Sequence, residues 1–284
     1  MLSSIKGVLA RRAAIAAAAL AVGTLTTAAQ AQEESESPYS FSFGWDVTSH
    51  FVSYGSDVWG GGDDASPFSD ESTDFVYGTM NVALADNLSA FVNVWSDINN
   101  NTSDTIGGNI QEIDLNTGVT LALDKVSLTL VHGFWIYSGD EEQILDFVVG
   151  YDDTGLISDD FALAPSVTVH WRYQGVEGID QGEGVAIVPG IKPSWTFNGE
   201  SDYPITLAVP VQVAFFTDDF GAESGYAYFT AGVSGSVPLA FIPEKYGAWS
   251  ASAGVAYYST DDDVLPGNEE DDFFVTTLSI GVSM

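Results

Sequence analysis

From Tyr39 onward, apolar and polar residues alternate along the chain with a period of two. In the stretch from Tyr39 to Thr48, aromatic and aliphatic residues hold the odd positions, and mostly small or polar residues hold the even positions. Successive side chains of a β-strand point to opposite faces, so this alternation gives one apolar face and one polar face. A helix would mix the two sets, and the pattern therefore predicts strands.

The same alternation predicts twelve strands. Their ranges are 39–53, 74–84, 87–97, 111–123, 126–138, 143–153, 160–174, 183–197, 204–217, 226–239, 248–260 and 272–284. Most are about twice the usual strand length of about 5–6 residues. Their polar faces are rich in Ser, Thr, Gly, Asn and charged residues, which could not form the dry core of a soluble β-sandwich.

The connections between these strands alternate between two classes. One class is mostly short turns: 85–86, 124–125, 154–159, 198–203 and 240–247. The other class includes the longest and most acidic segments: 54–73, 98–110, 139–142, 175–182, 218–225 and 261–271. Aromatic residues end the apolar faces, as Trp171 and Tyr173 do at one side of the predicted sheet. Together these features predict an all-β fold, a single antiparallel up-and-down transmembrane β-barrel of about 12 strands, with 10 or 14 left open.

The first residues predict a secretory leader. Lys6, Arg11 and Arg12 form a basic segment, an apolar run follows, and Ala29–Ala31 has the small-x-small pattern of a cleavage site. The apolar run is shorter than the roughly 20 residues that a helical span needs. We therefore expect a signal peptide at 1–31 and the barrel at 32–284. With an even strand count, we expect a bacterial outer-membrane protein with both mature termini in the periplasm.

The charge balance bears on the choice of partners. The chain has 7 Lys and Arg against 40 Asp and Glu, a formal net charge of −33. Nucleic acid is excluded as a partner on this balance, because phosphate neutralisation needs basic residues. The expected partners are outer-membrane lipid and lipopolysaccharide, together with small polar solutes or cations. The acidic loops could bind Ca²⁺ or Mg²⁺, but no defined calcium-loop spacing occurs, so we assign no metal ligand and no cofactor.

Strand parity places two groups of residues on the inner face of the barrel. The first group is charged or titratable and is predicted to line a pore: Asp46, Glu112, Asp114, Asp146, His170, Arg172 and Lys192. The second group is aromatic and lies near the outer ends of the strands, where the rings could stack on sugars or plug the mouth: Trp95, Trp135, Tyr137, Phe216 and Tyr258. We expect Arg172 to pair near the outer rim, close to Asp146 and the 139–142 loop.

Enzymatic chemistry has one candidate residue, His132, which parity places on the lipid-facing side. A polar group there is costly and invites a functional interpretation. A Ser–His pair would need a serine from another strand, since Ser127 and Thr129 face inward. A bulge or an interfacial position explains His132 more simply, so we predict that the protein is not an enzyme.

The segment Thr48–Gly55 (TSHFVSYG) resembles the opening of the TorF-like putative porins of bacterial outer membranes. Glu112–Leu115, with Gly118 and the segment 133–137, is similar to the middle region of that family. The chain departs from the family at Tyr54, where Arg is usual, and at Met284, where outer-membrane barrels usually end in an aromatic residue. The resemblance implies a small barrel of porin type.

These observations predict a porin-like channel for small polar solutes or ions, weakly cation-selective because acidic residues exceed basic ones on its inner face. A barrel of this size lies between filled eight-stranded barrels and open sixteen-stranded ones. Two alternatives therefore stay open: an outer-membrane enzyme acting on lipid, and a non-conducting structural or surface-recognition barrel.

Overall fold

The computed structural model describes residues 37–60, 66–69, 72–101, 105–158, 160–175, 182–217 and 219–284. The predicted leader lies outside this range and stays a prediction. The strands are β1 (Tyr39–Thr48), β2 (His50–Ser53), β3 (Ser56–Gly60), β4 (Thr73–Ala85), β5 (Leu88–Ile98), β6 (Ile110–Leu123), β7 (Val126–Ile136), β8 (Glu141–Tyr151), β9 (Phe161–Ala162), β10 (Ser166–Gln174), β11 (Gly184–Ile191), β12 (Ser194–Phe197), β13 (Ile205–Ala208), β14 (Val211–Phe216), β15 (Gly225–Pro238), β16 (Ala248–Thr260) and β17 (Asp272–Ser283). One 3₁₀ turn covers Glu244–Tyr246. The described residues contain no helix long and apolar enough to cross a membrane.

Fifteen of these strand segments form one closed antiparallel barrel. β1 pairs with β4 on one side and β17 on the other, and the order continues round the ring until β14 pairs with β15. The segments β9 with β10, β11 with β12, and β13 with β14 each act as one interrupted strand. The wall therefore has twelve strands, as the alternation predicts.

The two faces of the wall differ in the expected way. On β1, Trp45 is 50% exposed on the outside, whereas its neighbour Asp46 is 1% exposed on the inside. The same contrast recurs on β8, where Phe147 is exposed and Asp146 is buried. A closed barrel satisfies the hydrogen bonds of every wall strand, and an apolar outer face suits it to lipid. We call the end with the short turns and the carboxyl terminus the inner end, and the end with the longer loops the outer end.

Each interrupted wall strand is broken at a proline: Pro165, Pro193 or Pro210. Proline has no amide hydrogen to give to the sheet, so a strand interior accommodates it at a break. The carboxylate of Asp153 compensates at the first break. It accepts hydrogen bonds from the backbone amides of Leu163, at 2.8 and 3.0 Å, and Ala164, at 2.8 Å.

The first wall strand ends earlier than the sequence predicts. The expected range 39–53 is wrong beyond Thr48, because the chain leaves the wall at Ser49 and β2 and β3 form a separate hairpin. The hairpin turns at Tyr54 and Gly55, which have φ of 48° and 81°. Two successive residues with positive φ make the tight turn that joins antiparallel strands directly. We call His50–Gly60 the inner hairpin, because Phe51, Val52 and Tyr54 pack inside the barrel.

Candidate functional site

The inner hairpin crosses the outer half of the lumen. Its tip residue Tyr54 places its hydroxyl 2.6 Å from His170 Nδ1, on β10. The same nitrogen lies 2.5 Å from Asp146 Oδ1 on β8. Because β1 and β10 are the first and seventh of twelve wall strands, this contact joins opposite sides of the barrel. On the side of the barrel next to β1, Phe51 packs on Phe75 of β4, with 5.3 Å between ring centroids.

One side of the hairpin is apolar. Side chains of the hairpin, of the outer loops and of the strands from β7 to β17 form a buried cluster there. Its members are Val52, Tyr54, Trp135, Ile144, Ala186, Val188, Ala214, Phe216, Phe220, Ala227, Tyr228, Tyr258, Val264, Leu265 and Phe273. Gly55 fits only because it lacks a side chain: a Cβ there would lie 2.4 Å from the ring of Tyr228. The outer lumen therefore contains a packed core.

A single outer-loop side chain fastens the tip of the hairpin. The Asn268 amide nitrogen donates to the Gly55 carbonyl at 2.9 Å, and its oxygen accepts from the Asp57 amide at 2.8 Å. The amide nitrogen also donates to Thr260 Oγ1 at 3.1 Å. Within the hairpin, His50 Nδ1 lies 2.9 Å from Asp57 Oδ2. These contacts hold the hairpin together and tie it to the loop at 261–271.

A strongly acidic group lies beside the apolar cluster. Glu112 and Asp114 are successive inward-facing residues of β6, and Tyr137 donates a hydrogen bond to Glu112. Asp114 is 8% exposed, and its Oδ1 has no hydrogen-bond partner among the described residues. Burial raises the pKa of Tyr137 well above its usual range, and the nearby carboxylate of Glu112 raises it further. Tyr137 thus stays a neutral donor to this acidic group.

Arg172 provides the counter-charge on this side. Its Nε lies 3.0 Å from Glu142 Oε2, and its guanidinium carbon lies 4.4 Å from the centre of the Phe220 ring. Arg172 is 1% exposed, so the pair is almost fully removed from bulk water. The sequence predicts a pairing close to Asp146 and the 139–142 loop. The ion pair forms with Glu142, the last residue of that predicted loop, whereas Asp146 contacts His170.

The two remaining charged candidates lie on different parts of the wall. Asp46 accepts a hydrogen bond from the Tyr77 hydroxyl at 3.1 Å. Gly44 makes room for that ring, since a Cβ there would lie 2.2 Å from Tyr77 Cζ. Lys192 lies at the break between β11 and β12, nearer the inner end. No acidic side chain among the described residues comes within 4.0 Å of its ammonium.

The aromatic residues predicted to lie at the mouth have their rings on the lumenal side of the wall. Trp135, Phe216 and Tyr258 belong to the apolar cluster, and Tyr137 packs against it. Trp95 packs on Phe51 of the inner hairpin, with 5.5 Å between ring centroids. Their rings are thus occupied by protein contacts. Their use in stacking on sugars stays a prediction.

On four strands of the wall, the inner half of the lumen is lined by small residues. On β1, β10, β15 and β16 the inward positions there are Ser40, Ser42, Ser166, Thr168, Ser234, Ser236, Ser250 and Ser252. Many of these side chains are partly exposed, unlike the charged groups above them. This half has the composition of a polar vestibule.

On the outer surface, His132 has a partner that strand-by-strand reasoning missed. Its Nε2 lies 2.6 Å from the Tyr173 hydroxyl, which donates to Gln143 at 2.9 Å. Gln143 in turn donates to Gln174 at 2.8 Å, and Gln174 to Glu141 at 3.0 Å. The chain of hydrogen bonds satisfies a polar group on the lipid side without any serine.

A closed twelve-stranded antiparallel barrel with an apolar outside and a polar inside is a bacterial outer-membrane β-barrel. No protein-family model matches the chain, and no curated protein matches it. Membership of the TorF-like family therefore stays a prediction.

Several solved outer-membrane barrels are similar in structure. The NanC porin has 11% identity and a TM-score of 0.44 over 87% of this chain and 98% of its own. An outer membrane channel from Pseudomonas putida F1 has 9% identity and a TM-score of 0.45 over 87% and 94%. The CymD monoaromatic hydrocarbon channel has 11% identity and a TM-score of 0.42 over 87% and 89%.

Proposed function

We propose that the protein is an outer-membrane channel for small polar solutes or ions, with a weak preference for cations. The observation that carries the proposal is the excess of carboxylates on the inner face of the wall. Asp46, Asp97, Glu112, Asp114, Glu142 and Asp146 all lie there, against Arg172 and Lys192.

This excess favours cations for an electrostatic reason. Carboxylates inside a barrel lie between low-dielectric walls, which focus their field along the lumen. Rings of Asp and Glu are a common basis of cation preference in channels. Arg172 is already paired with Glu142, so it offsets only part of this negative charge. Lys192, which lacks such a pairing, would act as an opposing charge nearer the inner end.

A non-conducting structural barrel is the second candidate, and the packing of the outer lumen favours it. The apolar cluster and the inner hairpin leave Glu112 and Glu142 almost fully buried. Lipid hydrolysis is a weaker candidate, since His132 is hydrogen-bonded to a tyrosine. Bridging of the acidic outer loops to lipopolysaccharide phosphates by divalent cations is part of the proposal, without assigned ligands.

Conductance in planar lipid bilayers separates the candidates. Reversal potentials under a salt gradient measure the preference for cations. We expect Lys192→Gln to strengthen the preference and Asp46→Asn or Asp114→Asn to weaken it, because each changes one lumenal charge. Thr168→Val is the matched control, since it changes an inward-facing side chain without changing charge.

Three outcomes would count against the proposal. A wild-type channel that prefers anions would show that the assigned carboxylates do not line the path. If all three charge variants had the reversal potential of the wild type, the substituted residues would also be shown not to line the path. A barrel that conducts under no condition, including after removal of the inner hairpin, would favour the structural alternative.

A further inference from the structure

We propose that the inner hairpin is a gate that closes the outer lumen when docked and opens it when it moves out toward the outer end. This inference rests on the proposed channel function. It deepens that function by identifying the moving element and the contacts that hold it.

The hairpin can move without disturbing the wall. Its two strands pair with each other and form a sheet separate from the barrel. The wall beside it is complete, because β1 pairs with β4 and β17 over the register Ser42–Thr48. Undocking therefore breaks none of the wall's strand-to-strand hydrogen bonds. The His50–Asp57 contact lies within the hairpin and would travel with it.

A small number of polar contacts hold the tip in place. Asn268 donates one hydrogen bond to the Gly55 carbonyl and accepts one from the Asp57 amide, and Tyr54 contacts His170. Burial raises the pKa of Tyr54 well above its usual range, and Asp146 raises it further, so the hydroxyl stays neutral. Such hydrogen bonds contribute modestly, because water replaces them when they break.

Two opposing contributions make the docked state reversible. The hairpin buries apolar side chains such as Val52 against the cluster, which favours docking. It also helps to keep carboxylates such as Asp146 and Asp114 from water, which disfavours docking because buried charge is costly. Release would rehydrate these groups and open the acidic side of the lumen.

A reversible cross-link tests the gate directly. The chain has no Cys, so the double variant Asp57→Cys/Asn268→Cys carries a single possible disulfide. The Asp57 amide and the Asn268 side chain are in hydrogen-bond contact, which places the two residues side by side. We expect the oxidised protein to be silent in bilayers. On reduction we expect the open fraction to rise roughly tenfold or more above wild type, because two Asn268 bonds are lost.

The same sample serves as its own control, since oxidation and reduction compare one folded protein in two states. The two single-cysteine variants should respond to neither treatment. A further variant, with residues 51–59 replaced by a Gly-Ser linker, should conduct continuously. Equal conductance of the oxidised and reduced double variant, with the linker variant open, would overturn the gate and leave the channel standing. Silence of every variant, the linker variant included, would instead overturn the channel function itself.

Discussion

The outer and inner halves of the lumen are enclosed by the same twelve strands but hold different side chains. The outer half contains aromatic rings, buried carboxylates and an inserted hairpin, with Arg172 and His170 at its centre. The inner half is lined by Ser and Thr, such as Ser42 and Thr168. A wall of this size does not fill its own lumen, so loops that fold inward decide which part is closed.

Two residues of one strand give the sharpest contrast. Arg172 and Thr168 both face inward from β10. Each lies two residues from His170, on opposite sides of it along the strand. Arg172 is tied to Glu142 and packs on Phe220, whereas Thr168 lies in the partly exposed inner lining. The comparison predicts that substitutions at these two inward-facing positions of one strand have very different effects on the free energy of unfolding.

The largest effect is expected for Arg172→Ala. The change leaves Glu142 buried without its partner and removes the packing on Phe220. Losing one partner of a buried ion pair typically costs about 3–5 kcal/mol. Urea unfolding of the barrel in lipid vesicles, followed by tryptophan fluorescence, measures the change. The double variant Arg172→Ala/Glu142→Gln should recover part of the loss, and no recovery would show that the pairing with Glu142 is not the cause.

An intermediate effect is expected for Asp153→Ala near the inner end. Its carboxylate accepts three contacts from the amides of Leu163 and Ala164 beside the Pro165 break. Leaving these part-buried amides without acceptors costs about 1–3 kcal/mol. The same unfolding assay applies, with the neighbouring Asp152→Ala as control. A loss as large for Asp152 as for Asp153 would contradict the assigned role.

The smallest effect is expected for Thr168→Val. The side chain keeps its shape and lies in the polar lining of the inner half, so the free energy of unfolding should change by no more than about 0.5 kcal/mol. A change comparable to that of Arg172→Ala would remove the distinction between the two halves.

Local patterns predicted the wall well because the wall obeys local rules. Alternation locates all twelve wall strands, and the short turns at 85–86 and 124–125 fall where expected to within a residue or two. The same rule failed at Thr48. Phe51 continues the apolar alternation of β1, but its ring packs inside the barrel on Phe75. Apolar alternation indicates that a side chain avoids water. It does not indicate whether lipid or protein covers that side chain.

The candidate site was predicted in composition but not in arrangement. Parity identified Asp114, His170 and Arg172 as inward-facing residues. It gave no indication of Asn268 or of the Tyr54 contact, since these depend on loops folding back into the lumen. The one local signal was the pair Tyr54–Gly55, where a glycine can adopt the positive φ of a tight turn. His132 is similar, since its partner Tyr173 lies two wall strands away.

The sequence by itself therefore determined the barrel: its strand number to within 10 to 14, its two faces and its acidic interior, all of which follow from a period of two and from composition. The tertiary structure decided what fills that barrel. Tyr54 and His170 are separated by 116 positions in the chain, yet their side chains meet across the lumen. Closing the ring brings opposite walls within reach of an inward hairpin, and no pattern within a single strand encodes that distance.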